Sequence, residues 1–218
     1  MKKAFLLLII SLPLLLSAVE YRVGDHELLT MPTAYVMPKG DSYFTDYELL
    51  LVNYVHSVGY NTHLAAFSLF PITSDFLEMA SFGIKNNYYR KGSFASSLVT
   101  SYTPKTQLFS GGNVISIGSD PSNSLHFGAL LVNSKDMDNA EMMFLLGYRY
   151  DVSKNVSLMA EYLNVSAAVR EDFNGMISFG FRVRSGNLAW ELAGVRPLED
   201  MGDIFMIPLL KATYYFKN

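Results

Sequence analysis

Four histidines and a scatter of serines, acids and bases are the residues of this 218-residue chain with chemistry to offer. His56 is followed directly by Ser57, and neighbours on a strand point to opposite faces, so the two cannot form a nucleophile–base dyad within one strand. His126 reads as an interior hydrogen-bonding residue rather than a base. The histidines do not cluster and there is no cysteine, so the sequence predicts neither a zinc site nor thiol chemistry. Asp136, Asp138, Glu199, Asp200 and Asp203 sit in turn-rich segments, where solvated acids are far commoner than calcium ligands. No catalytic residue, metal site or cofactor is assigned.

The informative charges are those that alternate with apolar residues. In GMISFGFRVR, Gly175 to Arg184, Ile177, Phe179, Phe181 and Val183 take one face of a strand, and Arg182 and Arg184 take the other. A soluble sandwich would turn the arginines to water; a membrane barrel would turn the phenylalanines to lipid and the arginines inward. The same two faces recur along the chain. One carries residues such as Phe144, Leu146, Tyr148 and Leu158, and the other is mixed, with glycine, serine and most of the charge. If the mixed face lines a lumen, it gathers Glu48, Lys85, Glu141, Arg149, Glu161, Arg182, Arg184, Glu191 and Lys211. Acids and bases are nearly balanced there, which predicts pairing across the interior because a lone charge in a narrow lumen is costly. A two-residue Gly186-Asn187 turn sets Arg182 opposite Glu191 and Val183 opposite Trp190, so an Arg182–Glu191 ion pair is expected.

The elements that must hold these residues are short strands. Alternating segments near 42–56, 62–70, 76–88, 93–103, 107–118, 124–132, 140–151, 155–165, 174–184, 187–196 and 206–216 are divided by turn residues. Most have the ~9 to 11 residues that a tilted strand needs to cross a bilayer. Counted back from the C-terminus, the last five connections alternate long and short, as extracellular loops and periplasmic turns do in outer-membrane barrels; the earlier ones are all short and do not discriminate. The parity asks for one more strand at the front, for which ELLTMPTAYV, Glu27 to Val36, is the candidate, although Pro32 cannot donate a ladder hydrogen bond. An even count of twelve is preferred, with ten the alternative if the front is irregular. On this assignment Tyr35, Tyr43, Tyr102 and Tyr162 fall at extracellular strand ends. Tyr88, Tyr148, Tyr150, Trp190, Tyr214 and Phe216 fall at periplasmic ends, giving aromatic belts at the two headgroup levels.

The first residues, MKKAFLLLIISLPLLLSAVE, read as a secretory signal: Lys2 and Lys3, an apolar run from Ala4 to Leu16, then Ser17 and Ala18, with cleavage expected after Ala18. The run is short of the ~20 apolar residues a membrane helix needs and contains Pro13. Residues 19–218 are then a single domain. A net charge of −3 with no basic run argues against nucleic acid as a partner.

MPTAYVMPKGDSYFTDYELLL, KNVSLMAEY, ISFGFRVRSGNLAWEL and the closing strand PLLKATYYF together resemble a loose set of uncharacterised outer-membrane β-barrel proteins of diderm, Gram-negative-type bacteria. The resemblance implies location and fold and supplies no catalytic residue; Lys217 and Asn218 after Phe216 depart from the usual terminal aromatic. The expectation is an all-β, closed, antiparallel up-and-down transmembrane barrel in the bacterial outer membrane, with outer-membrane lipid and the barrel-assembly machinery as partners. Its activity is expected to be that of a structural barrel or a narrow, porin-like transport pore with a salt-bridged lumen. Two other readings stay open, an outer-membrane lipid-modifying enzyme of phospholipase or deacylase type and a soluble periplasmic sandwich or ligand-binding barrel.

Overall fold

The computed structural model describes residues 21–70, 76, 78–119, 123–165, 175–198 and 205–218. Twelve strands follow in chain order: β1 Ser42–Tyr47, β2 Leu51–Ser57, β3 Thr62–Leu69, β4 Ser81–Lys91, β5 Phe94–Thr103, β6 Leu108–Ser119, β7 Asn123–Asn133, β8 Glu141–Asp151, β9 Val156–Val165, β10 Met176–Ser185, β11 Leu188–Pro197 and β12 Ile207–Phe216. Each pairs antiparallel with its chain neighbours, and β1 closes on β12, from Ser42 opposite Phe216 to Tyr47 opposite Lys211. Closure leaves no free strand edge, which an element standing in hydrocarbon requires.

The pleat sorts the side chains in two directions. Phe144, Phe179 and Trp190 are 52%, 54% and 49% exposed, while Arg149, Arg182 and Lys211 are at most 1% exposed. A water-soluble fold does not wrap buried arginines in a continuous coat of half-exposed phenylalanine, leucine and tryptophan. The coat is the lipid-facing surface of a transmembrane barrel, with the polar face inside.

The front of the chain departs from expectation. The segment expected as one strand over 42–56 is two strands, broken by a turn at which Glu48 and Leu49 both take positive φ, 56° and 58°. Asp46 Oδ1 braces the turn by accepting from the Leu49 N–H. The count of twelve holds because this split supplies the extra strand; ELLTMPTAYV does not. Residues 21–41 instead run inside the barrel as a re-entrant hairpin. They enter at the end that carries the short turns 58–61, 92–93, 152–155 and 186–187, beside Lys154 and Gly186. They climb to an apex at Leu29–Met31 and return to the same end, where Ser42 starts β1. Within the hairpin the Leu28 N–H donates to Met31 O (2.8 Å), and the Thr33 N–H to His26 O (3.0 Å). Pro32 is tolerated because it opposes Glu27 in an isolated bridge, not inside a sheet ladder. The expected signal segment and most of the two loops after β9 and β11, with Glu199, Asp200 and Asp203, lie outside the described residues.

Candidate functional site: the plugged lumen

The lumen side chains on the strands serve mainly to hold the backbone of this hairpin, hereafter the plug. A strand hairpin satisfies its own amides; an irregular segment in a dry interior must find partners elsewhere. Glu161 of β9 supplies them for the apex. Its Oε1 accepts from the N–H groups of Leu29 (2.7 Å), Thr30 (3.0 Å) and Met31 (3.0 Å), and its Oε2 from the Thr30 hydroxyl (2.8 Å).

The cations take the carbonyls. Arg182 donates to Gly24 O (2.6 Å), Glu27 O (2.9 Å) and Leu28 O (2.8 Å), and its Nε meets Glu191 Oε1 at 2.8 Å. Lys211 reaches Leu28 O (3.0 Å), Leu29 O (2.8 Å), Glu27 Oε1 (3.0 Å) and Glu191 Oε2 (2.9 Å). Arg184 donates to Val23 O (3.0 Å) and Lys85 to His26 O (3.0 Å) and Thr33 O (3.2 Å). The plug also contributes acids: Asp25 Oδ1 takes Arg149 at 2.6 Å, while Asp151 pairs with Arg149 (3.0 Å) and with the plug's Arg22 (2.6 Å). Charge-assisted bonds of this kind are about twice as strong as neutral ones.

Apolar packing completes the fit. Leu28, Leu29, Met31, Ala34 and Tyr35 are buried against Ala95, Val114, Leu130, Leu145, Met159 and Ala193 of the inner wall. Full burial of one such large side chain is worth roughly 1.5–3 kcal/mol. Two glycines are needed for close approach. A Cβ on Gly147 would sit 2.3 Å from Leu28 Cδ1 and 3.0 Å from Met31 Sδ, and one on Gly24, at φ 86°, would sit 2.7 Å from the Arg182 guanidinium carbon.

Of the charges expected to line the lumen, Lys85, Arg149, Glu161, Arg182, Arg184, Glu191 and Lys211 are buried there, and Glu141 is half-buried on the inward side of β8 at its long-loop end. Among these buried charges Arg182, Glu191 and Lys211 pair with one another, while Lys85, Arg149, Glu161 and Arg184 turn to the plug, because an occupied lumen offers partners that an empty one lacks. Glu48 is a correction. It lies exposed in the β1–β2 turn, with Oε1 3.3 Å from the Leu210 N–H.

Tyr35 and Tyr43 are corrections too. Tyr35 belongs to the plug and is 6% exposed; Tyr43 points inward and stacks on His26, centroids 3.4 Å apart. Once the β1–β2 turn is placed, Phe44 and not Tyr43 faces out, and a one-residue shift flips a whole strand. Tyr88, Tyr102, Tyr148, Tyr150, Trp190, Tyr214 and Phe216 are on the exterior, and Tyr162 is half-exposed.

Two Ser–His contacts escaped sequence reasoning. Ser124 precedes His126 by two residues on β7, a visible signal, and its Oγ lies 2.8 Å from Nε2. Nδ1 lies 2.7 Å from Ser116 Oγ, which itself accepts the plug's Ala34 N–H at 2.8 Å. Ser124, His126, Ser116 and Ala34 thus form one chain of hydrogen bonds that ends on the plug. The second contact is cross-strand. Ser42 and His56 are register partners with Oγ–Nδ1 2.8 Å, and the Tyr54 hydroxyl donates to the same Oγ at 3.1 Å. Ser42 is 7% exposed, which leaves little room for an acyl group, so the geometry is that of a polar clasp between the first two strands. No group of three or more His, Asp or Glu that could hold a metal ion occurs among the described residues.

No protein-family model and no curated protein matches the chain. Among solved structures it is similar to a mutant porin of Rh. blastica, with TM-score 0.45 and 8% identity over 76% of this chain and 55% of that one. It is also similar to the outer membrane channel DcaP of Acinetobacter baumannii, with TM-score 0.40 and 11% identity over 90% of this chain and 69% of that one. The chain spans little more than half the length of the porin.

Proposed function

We propose that the protein is an integral barrel of the bacterial outer membrane and a narrow, non-enzymatic solute channel that its own N-terminal segment keeps closed. The observation that carries this reading is the latch itself: buried charges on β4, β9, β10 and β12 converge on the backbone of a segment that enters and leaves by one mouth, and Arg149 of β8 holds that segment's Asp25 carboxylate. A barrel meant to be solid can fill its interior with its own inward side chains. Here the inner wall meets the plug with Ala95, Ser116, Gly147 and Ala193 beside the larger Val114, Leu130, Leu145 and Met159, so the filling is a segment outside the strands, joined to β1 at Ser42 and otherwise held by non-covalent bonds.

The short-turn mouth is assigned to the periplasm, in keeping with short periplasmic turns in such barrels. The plug then withdraws toward the cell interior, trailing from the chain's start, and export uses residues 1–18 as a cleaved signal. Outer-membrane lipid and the assembly machinery remain the proposed partners.

Liposome swelling tests the channel. Vesicles holding wild-type protein should be as slow to swell in a small sugar as empty vesicles, and a plug-weakened variant should swell them quickly. Equal, slow swelling for both identifies a purely structural barrel and ends the channel reading. Recovery of the mature chain in the soluble periplasm, without detergent, ends the membrane assignment.

A further inference from the structure

Between the plug apex and the β2–β5 wall lies a cavity of about 200 Å³, with Thr30 and Pro32 of the plug on one side and Ala65, Phe67, Gly83, Val99 and Ser101 on the other. Small wall residues open the space: a Cβ on Gly83 would already approach Thr100 O at 3.3 Å.

Among the lining groups that could donate to an anion, His63 and Lys85 are incompletely matched; Asn53 Oδ1 and His26 Nε2 also lack a hydrogen-bond partner among the described residues. His63, 1% exposed, accepts the Met37 N–H on Nε2 at 2.7 Å, so its ring proton is on Nδ1, and Nδ1 has no partner among the described residues. Lys85 stands directly opposite His63 in the β3–β4 register, 9% exposed, with both side chains on the inner face. Its ammonium touches only the neutral carbonyls of His26 and Thr33, and among the described residues no carboxylate lies within ion-pair distance of it. The other charge in the lining, Glu27, is matched by Lys211 at 3.0 Å and by the Tyr47 hydroxyl, and His26 is held by the Tyr21 hydroxyl and stacked on Tyr43.

We propose that this cavity is a binding site for a small organic monocarboxylate, with Lys85 as its counter-charge, the His63 Nδ1–H as a second donor, and Ala65, Phe67 and Val99 against its apolar body. A buried ammonium without a counter-ion is costly, and Ala65, Phe67 and Val99 give the cavity an apolar side, so an anion with a hydrocarbon body suits both. The proposal stands whether or not the barrel conducts, because it concerns occupancy and not passage.

Benzoate is the probe, with neutral benzamide as its isosteric control, and the readout is the imidazole ¹⁵N spectrum of His63 in the full-length barrel in a non-ionic detergent. Benzoate should shift the Nδ1 resonance saturably, with benzamide weaker by at least about tenfold, since the charge-assisted bond is lost. Lys85→Met should abolish the shift. Ala65→Phe, which leaves Lys85 and the latch in place and fills the cavity, should abolish it as well, and it decides the matter if Lys85→Met does not fold. No shift with benzoate at tens of millimolar would overturn the proposal, leaving the cavity to water. Benzamide binding as tightly as benzoate would overturn the anion assignment, and undiminished binding to Ala65→Phe would overturn the location.

Discussion

At the scale of single residues, Glu161 carries the most. One carboxylate accepts three consecutive plug amides and a hydroxyl, in the manner of an anion held in a backbone nest, except that here the anion belongs to the wall and the nest to the inserted segment. Hydrogen bonds to a charged group are worth roughly 1.5–3 kcal/mol each, and unpaired buried amides add their desolvation cost. Glu161→Leu should therefore expel the apex while the strands remain closed. Chymotrypsin reports this: Leu28 and Leu29, fully buried in the wild type, should become cleavage sites, seen by mass spectrometry, with β-sheet circular dichroism unchanged. Continued protection of both bonds would mean that Glu161 is not a principal latch. Ser42 supplies a second residue-scale expectation. Its hydroxyl lies under Tyr54 and is 7% exposed, so a fluorophosphonate should leave it unlabelled; stoichiometric labelling would reinstate the lipid-hydrolase reading.

At the scale of elements, the strands were legible wherever turn chemistry was explicit. Gly186-Asn187 is a tight turn that any reading recognises, Gly186 takes φ 58°, and the register it implies places Arg182 against Glu191 and Val183 against Trp190. Alternation then located the inward charges on β4, β8, β9, β10, β11 and β12. The β1–β2 turn was illegible because Glu48-Leu49-Leu50 contains no glycine, asparagine or proline, and positive φ at two such residues is rare. The plug was illegible for a related reason: ELLTMPTAYV has the apolar content of a strand, and what keeps it from being one is the set of partners provided by residues far along the chain, such as Glu161 and Lys211. Periodicity reports the face a residue takes, not what fills the space that face surrounds. Gly147 is the element-scale test of that filling. Gly147→Val adds branched bulk where a Cβ alone would lie 2.3 Å from Leu28 Cδ1. Overpacking of this sort costs about 1–3 kcal/mol, and the plug, not the hydrogen-bonded wall, is the part able to yield. The variant should gain chymotrypsin sensitivity at Leu28 and Leu29 while keeping its heat-modifiable gel shift; loss of the gel shift would show that plug and barrel do not separate.

At the scale of the whole molecule, the plug supplies partners to most of a ring of buried charge, with Lys85 left without a counter-ion. Removing it exposes Arg149, Arg182, Arg184, Lys211 and Lys85 to a lumen whose described wall acids are Glu161, Glu191, Asp151 and, at the long-loop end, Glu141, so an opened barrel should be wet with bases in slight excess and anion-attracting, and a closed one drier. The two states differ in hydration, charge and access at once, which makes ion current their most direct discriminator. Single barrels of wild type and of Glu161→Leu in a planar bilayer, recorded in the same salt, provide the test. The closed-plug account predicts a silent wild type with rare, brief openings and a variant with sustained, anion-preferring steps of current. A wild type that conducts steadily at the level of the variant would show that residues 21–41 do not close the lumen, and would contradict the account.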